Sequence, residues 1–136
     1  MKTLILLIFL LPFIAFSQEP PIGTKKIIVQ TDLPAKEGFY LIANYLLDNG
    51  YEIKSKDTEL FLIETKSMIY QSGRTTTRYL VNIRSKDDKL IITGKWISGY
   101  NTGIIEKKLP SKWFIDMFIP LQNFAGKINK PLTYSN

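Results

Sequence analysis

The hydrophobic and polar positions of the chain change their period several times, and each period predicts one kind of element. Between Leu33 and Gly50 apolar residues recur at intervals of three and four, the spacing of one face of an α-helix. Pro34 suits the first helical turn, and Asn49-Gly50 suits a left-handed C-terminal cap. The predicted apolar face consists of Phe39, Ile42, Ala43, Leu46 and Leu47.

Runs rich in β-branched residues predict strands on both sides of this helix. The predicted strands are residues 25–31, 51–55, 59–66, 76–84 and 89–97. The second and third pair as a hairpin around a turn at 56–58, and the last two pair around a polar turn at 85–88. Residues 67–75 are predicted to be irregular, and residues 104–109 are compatible with a sixth short strand.

A second helical pattern extends from Lys112 to Ile128 and follows Pro110-Ser111, where Ser111 suits the N-cap. Pro120 lies inside this pattern and removes one backbone hydrogen bond, which predicts a kink or two abutting helices. Residues 129–136 are predicted to form a flexible tail. The apolar positions at helical spacing are Phe114, Phe118, Leu121, Ala125 and Ile128.

The first seventeen residues have the pattern of a secretory signal peptide. Lys2 precedes an apolar run from Leu4 to Ile14, and Ala15-Phe16-Ser17 resembles a cleavage site. The alternative, an uncleaved anchor, needs about 20 uninterrupted apolar residues, and this run is shorter. We therefore expect a periplasmic or secreted protein without a stable membrane anchor after cleavage at residue 17, with an extended leader at 18–24 and a single domain at 25–128.

The order of predicted elements indicates an α+β fold, a two-layer structure in which an antiparallel sheet of five or six strands carries two helices on one face. Alternation along the strands divides their side chains between the two faces of the sheet. Gly94, on the inner set, fits a close approach of a helix or a bulge. The set assigned to the helices is Tyr51, Ile53, Phe61, Ile63, Tyr79, Val81, Ile83, Leu90, Ile92 and Trp96.

The opposite, outer face is predicted to combine apolar and charged residues. If its apolar members are contiguous, they form a patch with a charged rim, which is typical of a partner site. The alternative is that a sheet tolerates a few exposed apolar side chains, or that the leader or tail covers them. The candidate partner-binding residues are Leu60, Leu62, Leu80, Arg84, Ile91 and Lys95.

Composition excludes several kinds of chemistry. The sequence contains no histidine and no cysteine, so Ser-His-Asp and Cys-His nucleophilic sites are absent, as are most zinc and copper sites. The net charge of +6 comes from scattered lysines and arginines, and not from the basic stripe that nucleic-acid binding requires. Asp87 and Asp88 lie between lysines and suit a hairpin tip better than a calcium site. We predict no enzymatic activity, no metal and no cofactor.

Three functions remain. The first is a non-catalytic interaction module that binds an unknown protein or envelope component through the outer sheet face. The second is a carrier that holds a small apolar ligand between the C-terminal helix and the sheet, near Trp113, Phe114, Phe118 and Phe124. Core packing is the alternative role for these aromatic residues. The third, a carboxylate hydrolase, needs two acids that face each other across a cleft.

The layout resembles a known family. Leu33-Pro34-Ala35-Lys36-Glu37 leads into a helix, Asn49-Gly50-Tyr51-Glu52-Ile53 follows it, and a hairpin from Tyr79 to Ile97 has Lys86-Asp87-Asp88-Lys89 at its tip. Over about residues 25 to 128 this is similar to small exported proteins of unknown function in Gram-negative bacteria with a TATA-binding-protein-like (TBP-like) domain. The resemblance implies a curved sheet with two helices on its convex side and no enzymatic activity, and it does not imply DNA binding. A helix-grip domain of envelope-assembly lipoproteins is a second likeness, but the lipid-attachment cysteine is missing.

Overall fold

A computed structural model describes residues 19–109 and 115–136 of the chain. These residues form an open antiparallel sheet of eight strands and two helices, which confirms the predicted α+β class with more strands than expected. The helices are α1 (Ala35–Asp48) and α2 (Phe118–Gly126). The strands are β1 (Lys26–Gln30), β2 (Ile53–Asp57), β3 (Leu62–Thr65), β4 (Met68–Ser72), β5 (Thr75–Lys86), β6 (Lys89–Ser98), β7 (Asn101–Ile104) and β8 (Leu132–Ser135).

The strand order is β2-β3-β5-β6-β1-β8, with β4 beside β5 and β7 beside β6. The helix α1 packs on β5 and β6, and α2 packs on β1 and β6. The rings of Tyr45 in α1 and Phe124 in α2 meet edge to face with their centroids 6.1 Å apart, so both helices cover the same face. The core lies between this face and the helices, as the alternation of the strands predicted.

The predicted inward positions form the sheet side of this core. Ile63, Val81, Ile83, Leu90 and Ile92 are fully buried, and the remaining members of the set are buried or half-buried against them. Gly94 confirms the expected close approach. A Cβ atom at this position would lie 2.7 Å from Ile105 Cδ1 and 3.2 Å from Leu121 Cδ1, so β6 and α2 need a residue without a side chain here.

The helix α1 follows the sequence prediction closely. Pro34 occupies its N-cap position, and Gly50, with φ of 75°, provides the left-handed residue just after its end. Four of the five predicted apolar positions are buried. The assignment of Leu47 to the buried face was wrong. Its side chain lies at the edge of the apolar face of α1 and remains 61% exposed.

The β2–β3 hairpin is shifted from its predicted position. The turn occupies residues 58–61 instead of 56–58, because Asp57 Oδ1 accepts hydrogen bonds from the N–H groups of Glu59 (3.0 Å) and Leu60 (2.9 Å). This side-chain turn delays the returning strand until Leu62. Residues 68–72, which were predicted to be irregular, form β4 and pair with β5.

The tail predicted at residues 129–136 contains strand β8, so its description as flexible was wrong. β8 pairs with β1 in antiparallel register, with Lys26 opposite Ser135 and Val29 opposite Leu132. The Tyr134 ring packs 6.2 Å from the ring of Phe118. The pattern Leu-Thr-Tyr-Ser alternates, but four residues after a proline are too few to predict a strand with assurance.

The helix α2 begins at Phe118, later than the predicted start at Lys112. Pro120 therefore lies in the first helical turn, where its missing N–H breaks no helical hydrogen bond, and the predicted kink does not occur. The Asp116 carboxylate receives the Phe118 N–H at 3.0 Å and caps this end. The predicted N-cap Ser111, with Trp113 and Phe114, lies outside the described residues, as does the predicted signal peptide at 1–17.

The leader and the predicted sixth strand also meet. Strand β7 lies at 101–104, before the position expected for it, and residues 105–109 form no strand. Instead, the Gly23 N–H donates to the Lys107 carbonyl and the Lys107 N–H donates to the Thr24 carbonyl, both at 2.8 Å. The described part of the leader is therefore held against the segment that follows β7.

Candidate functional site

The outer face of the sheet is the candidate site, and strand register sets its layout. Leu62 on β3 lies opposite Arg84 on β5, and Arg84 lies opposite Ile91 on β6. Ile91 in turn lies opposite Ile28 on β1. These four side chains form one row across four strands, in which three aliphatic residues accompany one arginine.

A second row crosses the same strands one step further along. Glu64, Asn82 and Thr93 lie opposite one another in this row, so it is polar. The Glu64 carboxylate is bound by Lys54 at an Nζ–Oε1 distance of 2.7 Å. The carboxylate of this row is therefore paired with a lysine of β2 and not with Arg84 or Lys95.

The remaining candidates lie beyond the polar row. Leu80 on β5 is opposite Lys95 on β6, four residues along β5 from Arg84. Four residues of strand correspond to about 13 Å. The apolar candidates are therefore not contiguous: they form two aliphatic and cationic groups on either side of the polar row.

Leu60 does not belong to the outer face. It lies in the turn between β2 and β3, where its N–H donates to Asp57 Oδ1 and its side chain is 53% exposed. The predicted strand at 59–66 included Leu60. This was wrong, because the turn that Asp57 stabilises places Leu60 before β3 begins.

The sequence prediction missed Ile28 as a member of this face. Strand alternation could have identified Ile28. It lies between Ile27 and Val29, which are buried, so its side chain points to the opposite face. We call the outer patch the two groups taken together: Ile28, Leu62, Arg84 and Ile91 in the first row, and Leu80 with Lys95 beyond the polar row. Its four aliphatic side chains are all half-buried and its two basic side chains are exposed.

The charge of the outer patch is positive. In the described part of the chain, neither Arg84 nor Lys95 makes an ion pair. Both side chains stand beside aliphatic neighbours across the strands, which is a combination suited to a surface with an apolar centre and acidic groups. No aromatic side chain belongs to the patch, so it lacks the stacking platform that sugars or bases use.

Phe118 and Phe124, the described aromatic residues of the predicted carrier site, lie on the helical side of the sheet. Phe118 and Phe124 are almost fully buried in the core, as the core-packing interpretation predicted. An open depression of about 480 Å³ is lined by Leu47 and residues 51–56, at the C-terminal end of α1 beside β2. That depression does not involve α2, and the carrier function stays a prediction.

A cluster of tyrosines joins α1 to the sheet. Tyr45 stacks on Tyr51 with ring centroids 6.3 Å apart, and Tyr51 meets Phe124 at 5.2 Å. Burial raises the pKa of Tyr45 and of Tyr79, and the neighbouring Tyr51 raises both further. The Tyr45 hydroxyl is buried without a hydrogen-bond partner among the described residues. These environments keep the phenols neutral and favour a structural role.

Several carboxylates are held by lysines. Glu52 binds Lys66 at 2.5 Å, and the hydrogen bond and charge of this lysine lower the pKa of the Glu52 carboxyl. Asp116 binds Lys107 at 2.8 Å.

Asp88 of the β5–β6 turn takes part in structural hydrogen bonds. Asp88 accepts the Gln30 amide at 2.7 Å with its carboxylate and the Thr31 hydroxyl at 2.8 Å with its carbonyl. Within the described ranges, no group of three or more acidic side chains is placed to hold a metal ion.

Comparisons with known proteins give no relative from which a role could be transferred. Neither helix in the described ranges has the length and hydrophobicity needed to cross a bilayer. No family model matches the sequence, and no curated protein is significantly similar to it.

Proposed function

We propose that the protein is an exported, non-catalytic interaction module that binds a protein or other envelope component through the outer patch. The observation that carries this proposal is the composition of the sheet face opposite the helices. Half-buried aliphatic side chains on β1, β3, β5 and β6 stand there beside Arg84 and Lys95, and both helices pack on the opposite face. The periplasmic or secreted location rests on the signal-like first seventeen residues.

The geometry supports a macromolecular partner over a small ligand. The outer patch extends across four strands, and neighbouring strands are about 4.8 Å apart, so its width is about 14 Å. A sheet surface of this width suits the flat contact of another macromolecule, whereas small ligands occupy concave sites, and the depression described above lies at α1 and β2 instead. The absence of histidine and cysteine supports a role without catalysis.

The kinship proposed from the sequence agrees with this function. We propose that the chain belongs with the small exported bacterial proteins that carry a TBP-like domain. A helix-covered sheet with one uncovered face is compatible with that group, and fold alone assigns no partner.

The test is photo-crosslinking and pull-down from envelope extracts with a double variant, Leu62→Asp/Arg84→Glu. Both positions lie in the same row of the outer patch, so the variant reverses its charge and inserts a carboxylate beside Ile91. We expect loss of more than 90% of the specifically recovered partner, because a desolvated apolar contact becomes charged.

A matched control is available on the helical side. Leu47→Asp/Lys36→Glu introduces the same charges at two exposed positions of α1. We expect this control to recover the partner as the wild type does. Equal recovery by the folded outer-patch variant, or equal loss with the control, would contradict the proposal.

A further inference from the structure

The edges of the sheet are protected to different degrees. β2 carries Lys54 and Lys56, and its register with β3 shifts between Ile53 and Ser55. Charged side chains and bulges of this kind prevent the pairing of an edge with another chain. β4 has none of these devices, since its five residues, Met68–Ser72, contain no charge and no proline.

Within residues 19–109 and 115–136, β4 pairs on one side only. Among the described residues its partner is β5, with Met68 opposite Tyr79 and Ser72 opposite Thr75. Ser72 and Thr75 flank a two-residue loop, so they form the closing hydrogen-bonded pair of the hairpin. Alternation then directs the N–H and C=O groups of Ile69 and Gln71 away from β5, toward the open edge.

The open edge also presents a side chain that a partner strand would cover. Ile69 is 67% exposed, although isoleucine is among the residue types most often buried. It lies opposite Arg78 on β5, on the outer face. An added strand would contact Ile69 from the side and satisfy four backbone groups at once.

The charge beside β4 is mainly basic. Lys66, Arg74 and Arg78 lie in or next to the β4–β5 hairpin, and the chain has no acidic residue between Thr65 and Lys86. Lys66 is paired with Glu52, whereas Arg74 and Arg78 have no acidic partner in the described ranges. Pairing two copies of β4 would bring the arginines Arg74 and Arg78 of both copies to one sheet, so repulsion disfavours a second copy of this chain as the occupant.

We infer that β4 is a docking edge for an extended acidic peptide segment of another protein, which adds to the sheet as a further strand. Backbone hydrogen bonds to Ile69 and Gln71 hold the segment, and acidic side chains on alternate positions face Arg74 and Arg78. This site is separate from the outer patch and does not depend on it.

The test is fluorescence anisotropy with the protein expressed from its full-length sequence and a labelled, N-acetylated peptide of alternating valine and glutamate. We expect saturable binding, at least tenfold tighter than that of the matching valine and lysine peptide. Raising the salt concentration from 50 to 300 mM should weaken it severalfold, because the charges are exposed.

Two changes test the backbone contacts. Gln71→Pro removes an outward N–H at an edge position that tolerates proline, whereas Gln71→Thr keeps the N–H and serves as the control. We expect at least a tenfold loss of affinity with the first and less than a twofold change with the second. A peptide N-methylated on alternate residues keeps its charge, and we expect at least a tenfold weaker interaction with the wild-type protein.

Other results would overturn the inference. These are no binding of the valine and glutamate peptide, equal binding of the lysine peptide, or unchanged binding of the N-methylated peptide. Self-association that Gln71→Pro abolishes, without peptide binding, would show that a second copy is the occupant. Because the partner assay uses variants of the outer patch, its failure leaves this test unaffected.

Discussion

The Thr65 hydroxyl is buried between β3 and β5, where it accepts a hydrogen bond from the backbone N–H of Val81 at 3.0 Å. Val81 itself is fully buried. The side chain therefore replaces a missing backbone partner at the point where β5 leaves β3 and begins to pair with β4. At this scale one oxygen atom completes the hydrogen bonding of two strands.

We expect Thr65→Val to lower the free energy of unfolding by about 1 to 3 kcal/mol, because the shape is kept while the Val81 N–H loses its acceptor. Urea denaturation followed by circular dichroism measures this change. Thr65→Ser keeps the hydroxyl and should recover most of the loss. Thr93→Val, at a half-buried position of the outer face, should change stability by less than about 0.5 kcal/mol.

The close packing around Gly94 can be tested by substitution. Gly94→Ala should destabilise the protein by about 1 to 3 kcal/mol, since the new methyl group overlaps Ile105 and Leu121 and also lies 3.3 Å from the Leu80 carbonyl oxygen. Gly126→Ala is the control, because nothing lies within 4 Å of the added atom. Thermal unfolding of both variants compares them directly, and equal melting temperatures would contradict the packing argument.

Strand β8 is short, but it extends the sheet beyond β1 and contributes side chains to the core. It occupies the side of β1 that β6 does not, and it adds Leu132 and Tyr134 to the margin of the core. The Tyr134 hydroxyl also accepts the Gln122 amide of α2 at 3.1 Å. β8 therefore connects the sheet edge to the second helix.

We expect a chain that ends at Lys130 to lose more than about 2 kcal/mol of stability, because two half-buried side chains and a strand ladder are removed. Chemical denaturation of the truncated and complete chains measures the difference. Removal of Asn136 alone, which lies outside β8, is the control and should leave stability within about 0.5 kcal/mol. A truncated chain as stable as the complete one would mean that residues 131–136 are the loose tail that their sequence suggested.

Sequence reasoning succeeded for elements with a strong period and failed at turns and at two short strands. α1 and the β5–β6 hairpin have repeated apolar positions that no local interaction overrides. The β2–β3 turn was displaced by one side chain, that of Asp57, and Pro120 proved to start a helix rather than bend one. β4 and β8 have five and four residues and lack the run of β-branched residues that predicted the equally short β1.

The candidate site was predictable in part for the same reason. Alternation correctly turned Leu62, Arg84 and Ile91 outward, but only strand register places them in one row and puts Leu80 beyond a polar one. Register depends on where each turn falls, and turns were the least accurate part of the prediction.

The tyrosine cluster connects both helices with the sheet. Tyr45 comes from α1, Tyr79 from β5, and Tyr51 from the segment between α1 and β2, where it also meets Phe124 of α2. Burial raises the pKa of Tyr45 and Tyr79 above the ordinary value of 10.0. Folding therefore opposes the ionisation of these two phenols.

These two tyrosines make the stability of the protein fall at high pH. The stabilisation is fully present below about pH 10 and is lost as the pH rises through the raised values of the folded state, because the unfolded tyrosines ionise first. We expect the denaturation midpoint to fall steeply above pH 10, and Tyr79→Phe to reduce that slope. Tyr100→Phe changes a fully exposed ring and is the control. A slope unchanged by Tyr79→Phe would contradict this assignment.

The position of β1 between β6 and β8 delays its pairing during synthesis. Lys26–Gln30 leaves the ribosome early, yet its two neighbours are residues 89–92 and 132–135. At synthesis rates of roughly 5 to 20 residues per second, this strand waits on the order of 5 to 20 seconds before both are available. During that interval the unpaired backbone N–H and C=O groups of β1 can bind a chaperone or a misfolded chain. Pairing with β8, the last strand to be translated, ends this exposure.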